Sequence, residues 1–219
     1  MMVLVDGLSK WQQYAGSPHV GHLLTPAGWN DPSKFILPWA CDNGCFGGLD
    51  APAFLRMLAK IRGMNPLWVV APDVVGDSIE TLRRFGVWGP MIRELGFKVA
   101  FVGQDGAEDT DIPWEGFDAL FIGGSTDWKL SQASADLCIE GKSRGKWVHV
   151  GRVNSYTRLR RCLALGVDSV DGRSWNAWKD TYLPDAIKWL EKKSGVTAEP
   201  LLDGVESIES SHQKELFSA

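Results

Sequence analysis

The sequence predicts an α/β chain folded as a TIM-like (β/α)8 barrel of reduced size, and three observations predict it. Short apolar runs recur along the chain, each followed by a turn and then by residues at helical spacing. The 219 residues amount to about one and a half average domains, which suits one barrel at the low end of the usual range. The composition, 44% apolar and 23% charged, is that of a globular chain able to bury a core and excludes wholesale disorder or a coiled coil. Buried strands alternating with helices imply a parallel sheet, either a closed barrel or an open doubly wound sheet, and the barrel is the preferred reading.

In chain order the runs are Val20 to Leu24, Phe35 to Cys41, Leu67 to Ala71, Lys98 to Val102, Ala119 to Gly123, Lys146 to Val150 and Val167 to Val170. An eighth strand, near Met1 to Val5 or after Asp171, would close the barrel. Asp50 precedes Pro52 at a first-turn position, and Phe54, Leu55, Leu58 and Ile61 follow at helical spacing. Asn154 or Ser155 can cap a helix that uses Tyr156, Leu159, Cys162 and Leu163 and closes at Gly166. Trp39, Trp68 and Trp147 lie in strand runs and are expected in the core, and packing is also favoured over base stacking for Trp175. The barrel is expected over residues 1–193, followed by a polar tail over 194–219 with a short helix at Gln213 to Phe217.

Several function classes are set aside by composition. No run of 18 apolar residues and no basic leader occurs, so neither a membrane span nor a secretory signal is expected. Cys41, Cys45, Cys138 and Cys162 contain no C-x-x-C pair and no matching His spacing, and read as reduced cytoplasmic thiols without zinc. His19 and His22 sit three apart on an extended segment, where they face opposite sides, and no metal is expected there. The formal charge of −4 gives no general attraction to nucleic acid, so any such surface must be local. One basic stretch exists. Gly141 to Val167 carries Lys142, Arg144, Lys146, Arg152, Arg158, Arg160 and Arg161 and no Asp or Glu, and reads as a solvated helix face or a phosphate-binding face.

Active sites of parallel α/β folds form at the carboxyl ends of the strands, so the residues just after each run carry the functional information. They read CDNGCFGG (Cys41 to Gly48), APDVVGD (Ala71 to Asp77), VGQDG (Val102 to Gly106), IGGST (Ile122 to Thr126), HVGRVNS (His149 to Ser155) and GVDSVDG (Gly166 to Gly172). Asp42, Asp73 and Asp171 would meet at one mouth with Gln104, although each Asp alone could equally cap a helix. Gly123-Gly124 before Ser125 could be a phosphate cradle or only a turn.

Taken in order, these strings resemble the tRNA-guanine transglycosylase family and its relatives that insert 7-deazaguanines into DNA, over Val20 to Gly172. The resemblance implies a catalytic acid/base at Asp42 and a base-stacking ring at Phe46, both from DNGCF. It implies that Asp73 reads the guanine edge from an open pocket, that Gln104 gives an amide to the base carbonyl, and that the Gly123-Gly124 turn gives a backbone N–H. It implies that Asp171 is the nucleophile, with His149 or Val150 against the second face of the base. Arg152, Arg158, Arg161 and Arg173 would contact phosphates.

The family's zinc cluster has no counterpart, since no Cys follows Cys162, and its Leu-Pro-Thr-Arg stretch is replaced by GRSWNAW (Gly172 to Trp178). No room for an added RNA-binding domain is expected. The implied substrate is therefore DNA rather than tRNA, exchanged with a free 7-deazaguanine without cofactor, in the cytoplasm of a bacterial or phage-infected cell. An N-glycoside hydrolase and a non-catalytic nucleobase-binding barrel are the rival readings. The pair Asp42 and Asp171 argues against the second, because binding alone needs only Asp73, Gln104 and the Gly-Gly turn.

Overall fold

The seven expected runs and the N-terminal segment each supply a strand because they are largely apolar, as a sheet covered on both sides requires. In the computed structural model, which describes residues 1–6, 11–28, 30–177 and 182–194, they close a parallel barrel in sequence order. The strands are β1 (Met2–Val5), β2 (Val20–Leu24), β3 (Trp39–Cys41), β4 (Val69–Val70), β5 (Val99–Gly103), β6 (Ala119–Ile122), β7 (Trp147–Val150) and β8 (Ser169–Asp171). The N-terminal run is the closing strand. β1 pairs with β2 on one side, Val3 opposite Val20, and with β8 on the other, Leu4 opposite Asp171.

Alternation along each strand divides the core in two. Leu4, Leu23, Val70, Val102 and the bulky Trp68 fill the barrel interior, where Ala40, Ala100 and Ala119 leave them room. Val3, Val5, Val69, Val99 and Val170 point outward and pack under the helices with Phe54, Leu58, Phe85, Phe101 and Phe117. All four cysteines are buried free thiols. Among the described residues no helix is long and apolar enough to cross a membrane.

The helices are α1 (Ala51–Lys60), α2 (Ser78–Glu94), α3 (Thr126–Leu130), α4 (Gln132–Ser143), α5 (Tyr156–Ala164), α6 (Arg173–Ala177) and α7 (Tyr182–Ser194). Their starts follow side-chain capping. Asp50 accepts from the Ala53 N–H on α1, and Ser155 accepts from the Arg158 N–H on α5. Asn154 is not the cap; it accepts from the Ser174 N–H and ties α5's entry to α6.

The expectation of a helix after every strand fails in places. The β2–β3 and β5–β6 connections carry only short 3-10 turns, because Pro26, Gly28, Pro32 and Pro38 punctuate the first, and Gly106, Pro113 and Gly116 the second. The barrel is therefore thinly clothed on those sides. The last strand ends at Asp171, and α6 and α7 follow it. Helix α7 runs through Ser194, the first residue of the expected tail; the rest of that tail, with its helix at Gln213 to Phe217, lies outside the described residues.

Candidate active site

A cavity of about 450 Å³ opens at the carboxyl ends of the strands, within the range of small-molecule sites. Leu4, Leu23, Val70, Val102 and Phe121 form an apolar floor, and all the candidate residues except His149, Val150, Arg158 and Arg161 line the cavity.

The loop after β3 supplies two of them. Asp42 is half-buried and accepts from the Asn43 N–H at 2.7 Å. Burial, reinforced by the charges of Asp171 and Asp73, pushes its carboxyl up to about 7. Phe46 stands at the rim of the cavity, 72% exposed.

Asn43, which the sequence reading passed over, organises the next loop. Its side-chain amide donates to Asp73 Oδ1 at 2.7 Å and to the Ala71 carbonyl at 2.8 Å, and its Oδ1 accepts from the Cys45 N–H at 2.7 Å. Asp73 therefore lines the cavity but is largely covered, not open as expected. It is 7% exposed, and burial raises its proton affinity against the opposing bonds from Asn43 and Gln104.

Gln104 completes the network. Its Oε1 accepts from the Gly76 N–H at 2.9 Å and the Gly124 N–H at 2.7 Å, and its Nε2 donates to Asp73 Oδ2 at 2.5 Å. Two backbone donors on one oxygen fix which end of the amide is which. Gly124 takes φ +71° to turn its N–H onto Gln104, a conformation that favours glycine. Its N–H is therefore engaged by Gln104 and not directed at a ligand, a correction to its expected role. Gln104 retains a second amide hydrogen, and each Asp73 oxygen retains acceptor capacity.

The phosphate-cradle alternative for this turn also gives way. Asp105 Oδ2 accepts from the Ser125 N–H at 2.6 Å and Oδ1 from the Ser125 hydroxyl at 2.5 Å. A carboxylate already occupies the position a phosphate would need.

β7 and β8 bring the remaining groups. Asp171, whose side chain is 23% exposed, accepts at Oδ1 from the Arg152 N–H and interacts there with His149 Nε2, each at 3.1 Å. Arg152 has φ +59°, uncommon outside glycine. Three further ties hold that loop: Arg152's guanidinium donates to the Gly124 carbonyl and lies 4.9 Å above the Phe46 ring centroid, and the Val153 N–H donates to the Asp171 carbonyl at 2.7 Å. Lys129, a second residue the reading missed, is buried and donates to the Gly151 carbonyl at 2.9 Å. Burial, with the nearby Arg152 charge, lowers its ammonium to about 8.

Side-chain direction corrects the expectations for Val150, His149 and Arg161 and places Arg158 beside the cavity rather than in it. Val150 points outward and lines the space between β7 and helices α3 to α5, away from the cavity. His149 is wholly buried inside the barrel against Trp68 and Phe121, and offers no face to a base. Arg158 and Arg161 border the same outer space as Val150, and Arg161 donates to the Ser131 carbonyl at 2.7 Å. The basic stretch is not one patch: Lys142 pairs with Asp168 at 2.6 Å, Arg144 with Glu140 at 2.7 Å, and Lys146 donates to the Phe117 carbonyl. These three sit where β7 begins, at the opposite end of the barrel from the cavity. Trp175 is fully buried against Tyr156, as expected for packing.

Comparison with models of known protein families finds no match, and comparison with curated proteins finds no significant match.

Proposed function

We propose that this chain is a base-exchange transglycosylase that replaces guanine in DNA with a 7-deazaguanine through a covalent glycosyl ester on Asp171. One observation carries the reading: Asp42 and Asp171 share a single cavity with an Asp73–Gln104 pair whose hydrogen-bond directions are fixed. The resemblance of the loop strings, in order, to the transglycosylase family adds to it.

The cavity wall offers a donor from Gln104 beside acceptors on Asp73. That is the complement of guanine's edge, a carbonyl next to two N–H groups. A ring missing either donor leaves the remaining acceptor capacity of buried Asp73 unmet, which is how such a wall discriminates. Reaching the wall requires the target nucleotide to leave the duplex stack, with Phe46 at the rim able to stack on it.

In the first half-reaction an Asp171 carboxylate oxygen forms a bond to C1′ while the C1′–N9 bond breaks. The electron pair goes to the departing guanine, which takes the proton from Asp42. In the second, the Asp42 carboxylate takes the proton of the incoming deazaguanine. That ring nitrogen bonds to C1′, and the Asp171 ester bond breaks with its pair returning to Asp171. A carboxyl near 7 suits Asp42 to both directions of transfer.

Incubation with DNA and labelled guanine tests the reading. Incorporation of label, abolished in Asp171→Asn, is the expected result; loss of base without incorporation identifies a glycoside hydrolase, and binding without either identifies a nucleobase-binding barrel. Running tRNA in parallel decides the polynucleotide.

A further inference from the structure

Four side chains inside the barrel form a chain that ends on Asp171. Trp147 Nε1 donates to Ser169 Oγ at 2.8 Å, Ser169 Oγ lies 2.8 Å from His149 Nδ1, and His149 Nε2 lies 3.1 Å from Asp171 Oδ1. They meet because residues two apart on a strand face the same way: Trp147 and His149 on β7, Ser169 and Asp171 on β8, with His149 opposite Ser169 in the register.

Donor inventory gives this chain one direction. An indole N–H can only donate, so the Ser169 oxygen accepts from Trp147, and His149 Nδ1 is the neighbour at 2.8 Å that can take its single hydroxyl proton. The ring proton of neutral His149 then sits on Nε2, aimed at Asp171 Oδ1. The reverse direction would leave the Ser169 hydroxyl hydrogen buried without an acceptor. It would also put a proton on Oδ1, the same oxygen that already accepts from the Arg152 N–H.

We infer that His149, its tautomer set by Ser169 and Trp147, is a positioning residue that holds Asp171 by Oδ1 and leaves Oδ2 as the oxygen that attacks C1′. The inference deepens the transglycosylase reading and rests on it for the identity of the attack, while the relay itself stands on the geometry. Among the described residues both hydrogen bonds to the Asp171 carboxylate fall on Oδ1, and the cavity is the open side. His149 touches no ligand in this arrangement. It acts by fixing which lone pair faces the substrate, as an orienting partner fixes a reacting group elsewhere.

Nitrogen-15 NMR of histidine-labelled protein, with His149 assigned by loss of its signals in His149→Gln, reads the tautomer directly. The wild type is expected to carry the proton on Nε2, and Ser169→Ala to lose that single signature. In single-turnover reactions with DNA, Ser169→Ala should slow formation of the covalent adduct by about 10-fold, with affinity for free 7-deazaguanine changed by less than about 2-fold. His149→Gln keeps an amide donor for Oδ1 and should retain more activity than His149→Leu, which is expected to lose about 100-fold. A wild-type ring protonated on Nδ1, or a Ser169→Ala protein with unchanged spectrum and adduct rate, overturns the inference. A wild-type protein with the Nε2–H signature and its Ser169 dependence but no base exchange overturns the transglycosylase reading and supports the relay.

Discussion

Asp42 binds its proton up to about pH 7 in the folded chain, against an ordinary value of 3.8. Between those values the folded state holds a proton the unfolded state has released, so this residue's contribution to stability falls as pH rises through the window and is level above it. Asp42→Asn cannot ionise. It is expected to be near neutral below about pH 4 and more stable than wild type by about 2 kcal/mol above about pH 7, a figure held below the full shift because Asp42 faces an open cavity. Denaturant unfolding at the two pH values reads this, and an equal difference at both would contradict it. The same substitution should abolish adduct formation, which in wild type should slow as pH rises past about 7 and the acid is lost. A site residue that destabilises its fold is the usual cost of activity. Burial raises the proton affinity of Asp73 as well, but its carboxylate also accepts from Asn43 and Gln104. Asp73→Ala leaves one N–H of each of two buried amides without its acceptor and is expected to cost about 2–3 kcal/mol in unfolding free energy as well as discrimination between guanine and adenine analogues. Unchanged stability with altered discrimination would show that the amides find other partners.

At the scale of the element, the loop joining β7 to α5 is where the site is held together, and it is also where the sequence is hardest to read. Arg152 is kept in the left-handed region by its backbone bond to Asp171, its guanidinium bond to Gly124 and its contact with Phe46, a strained residue retained where the site needs it. Arg152→Gly accepts the same backbone without strain, so stability should change by less than about 1 kcal/mol, whereas Arg152→Val should cost more than that. Thermal unfolding of the pair checks the assignment. Gly172, immediately after Asp171, has no room for a side chain: a Cβ there would meet the Val153 carbonyl and come within 2.7 Å of Asn154 Oδ1. None of this is visible in a string of letters. Strand ends were legible because apolar runs stop where they meet solvent, and that located Asp42, Asp73, Gln104 and Asp171 at one mouth. Side-chain direction was not, because a strand alternates faces and an assignment one residue out changes sides. Val150 was expected in the cavity and lies outside it, while its neighbour His149 faces inward and meets Asp171. Asn43 was hidden for another reason: its partner Asp73 is thirty residues away, and only closure of the barrel brings them together. Lys129 depends in the same way on how α3 docks beside β7.

Under the transglycosylase reading, the two ends of the barrel decide where a polynucleotide can approach. The net charge of −4 repels a phosphate backbone, so attraction must be local. The barrel splits the acid-free stretch between its two ends. Lys142, Arg144 and Lys146 lie at the end remote from the cavity and are engaged by Asp168, Glu140 and the Phe117 carbonyl. Arg161 is likewise spent on the Ser131 carbonyl, so its loss should act mainly on the packing of α5 against α4. Arg152 and Arg173 line the cavity, and Arg158 borders the adjoining space over α5. Under the transglycosylase reading, phosphates flanking a flipped nucleotide meet these three. Each phosphate contact releases counterions, so DNA affinity should fall steeply with salt, and each contact removed should reduce the log–log slope by about 0.9 on duplex DNA. Arg158→Ala with Arg173→Ala is therefore expected to weaken DNA binding and flatten the salt slope by about 2, with free deazaguanine binding intact. Lys142→Ala with Lys146→Ala removes the same charge from the remote end and should leave the slope unchanged. Binding titrations over a range of salt distinguish the two. If the remote pair flattens the slope and the Arg158–Arg173 pair does not, the polynucleotide approaches from the other end of the barrel and these arginines serve the protein alone.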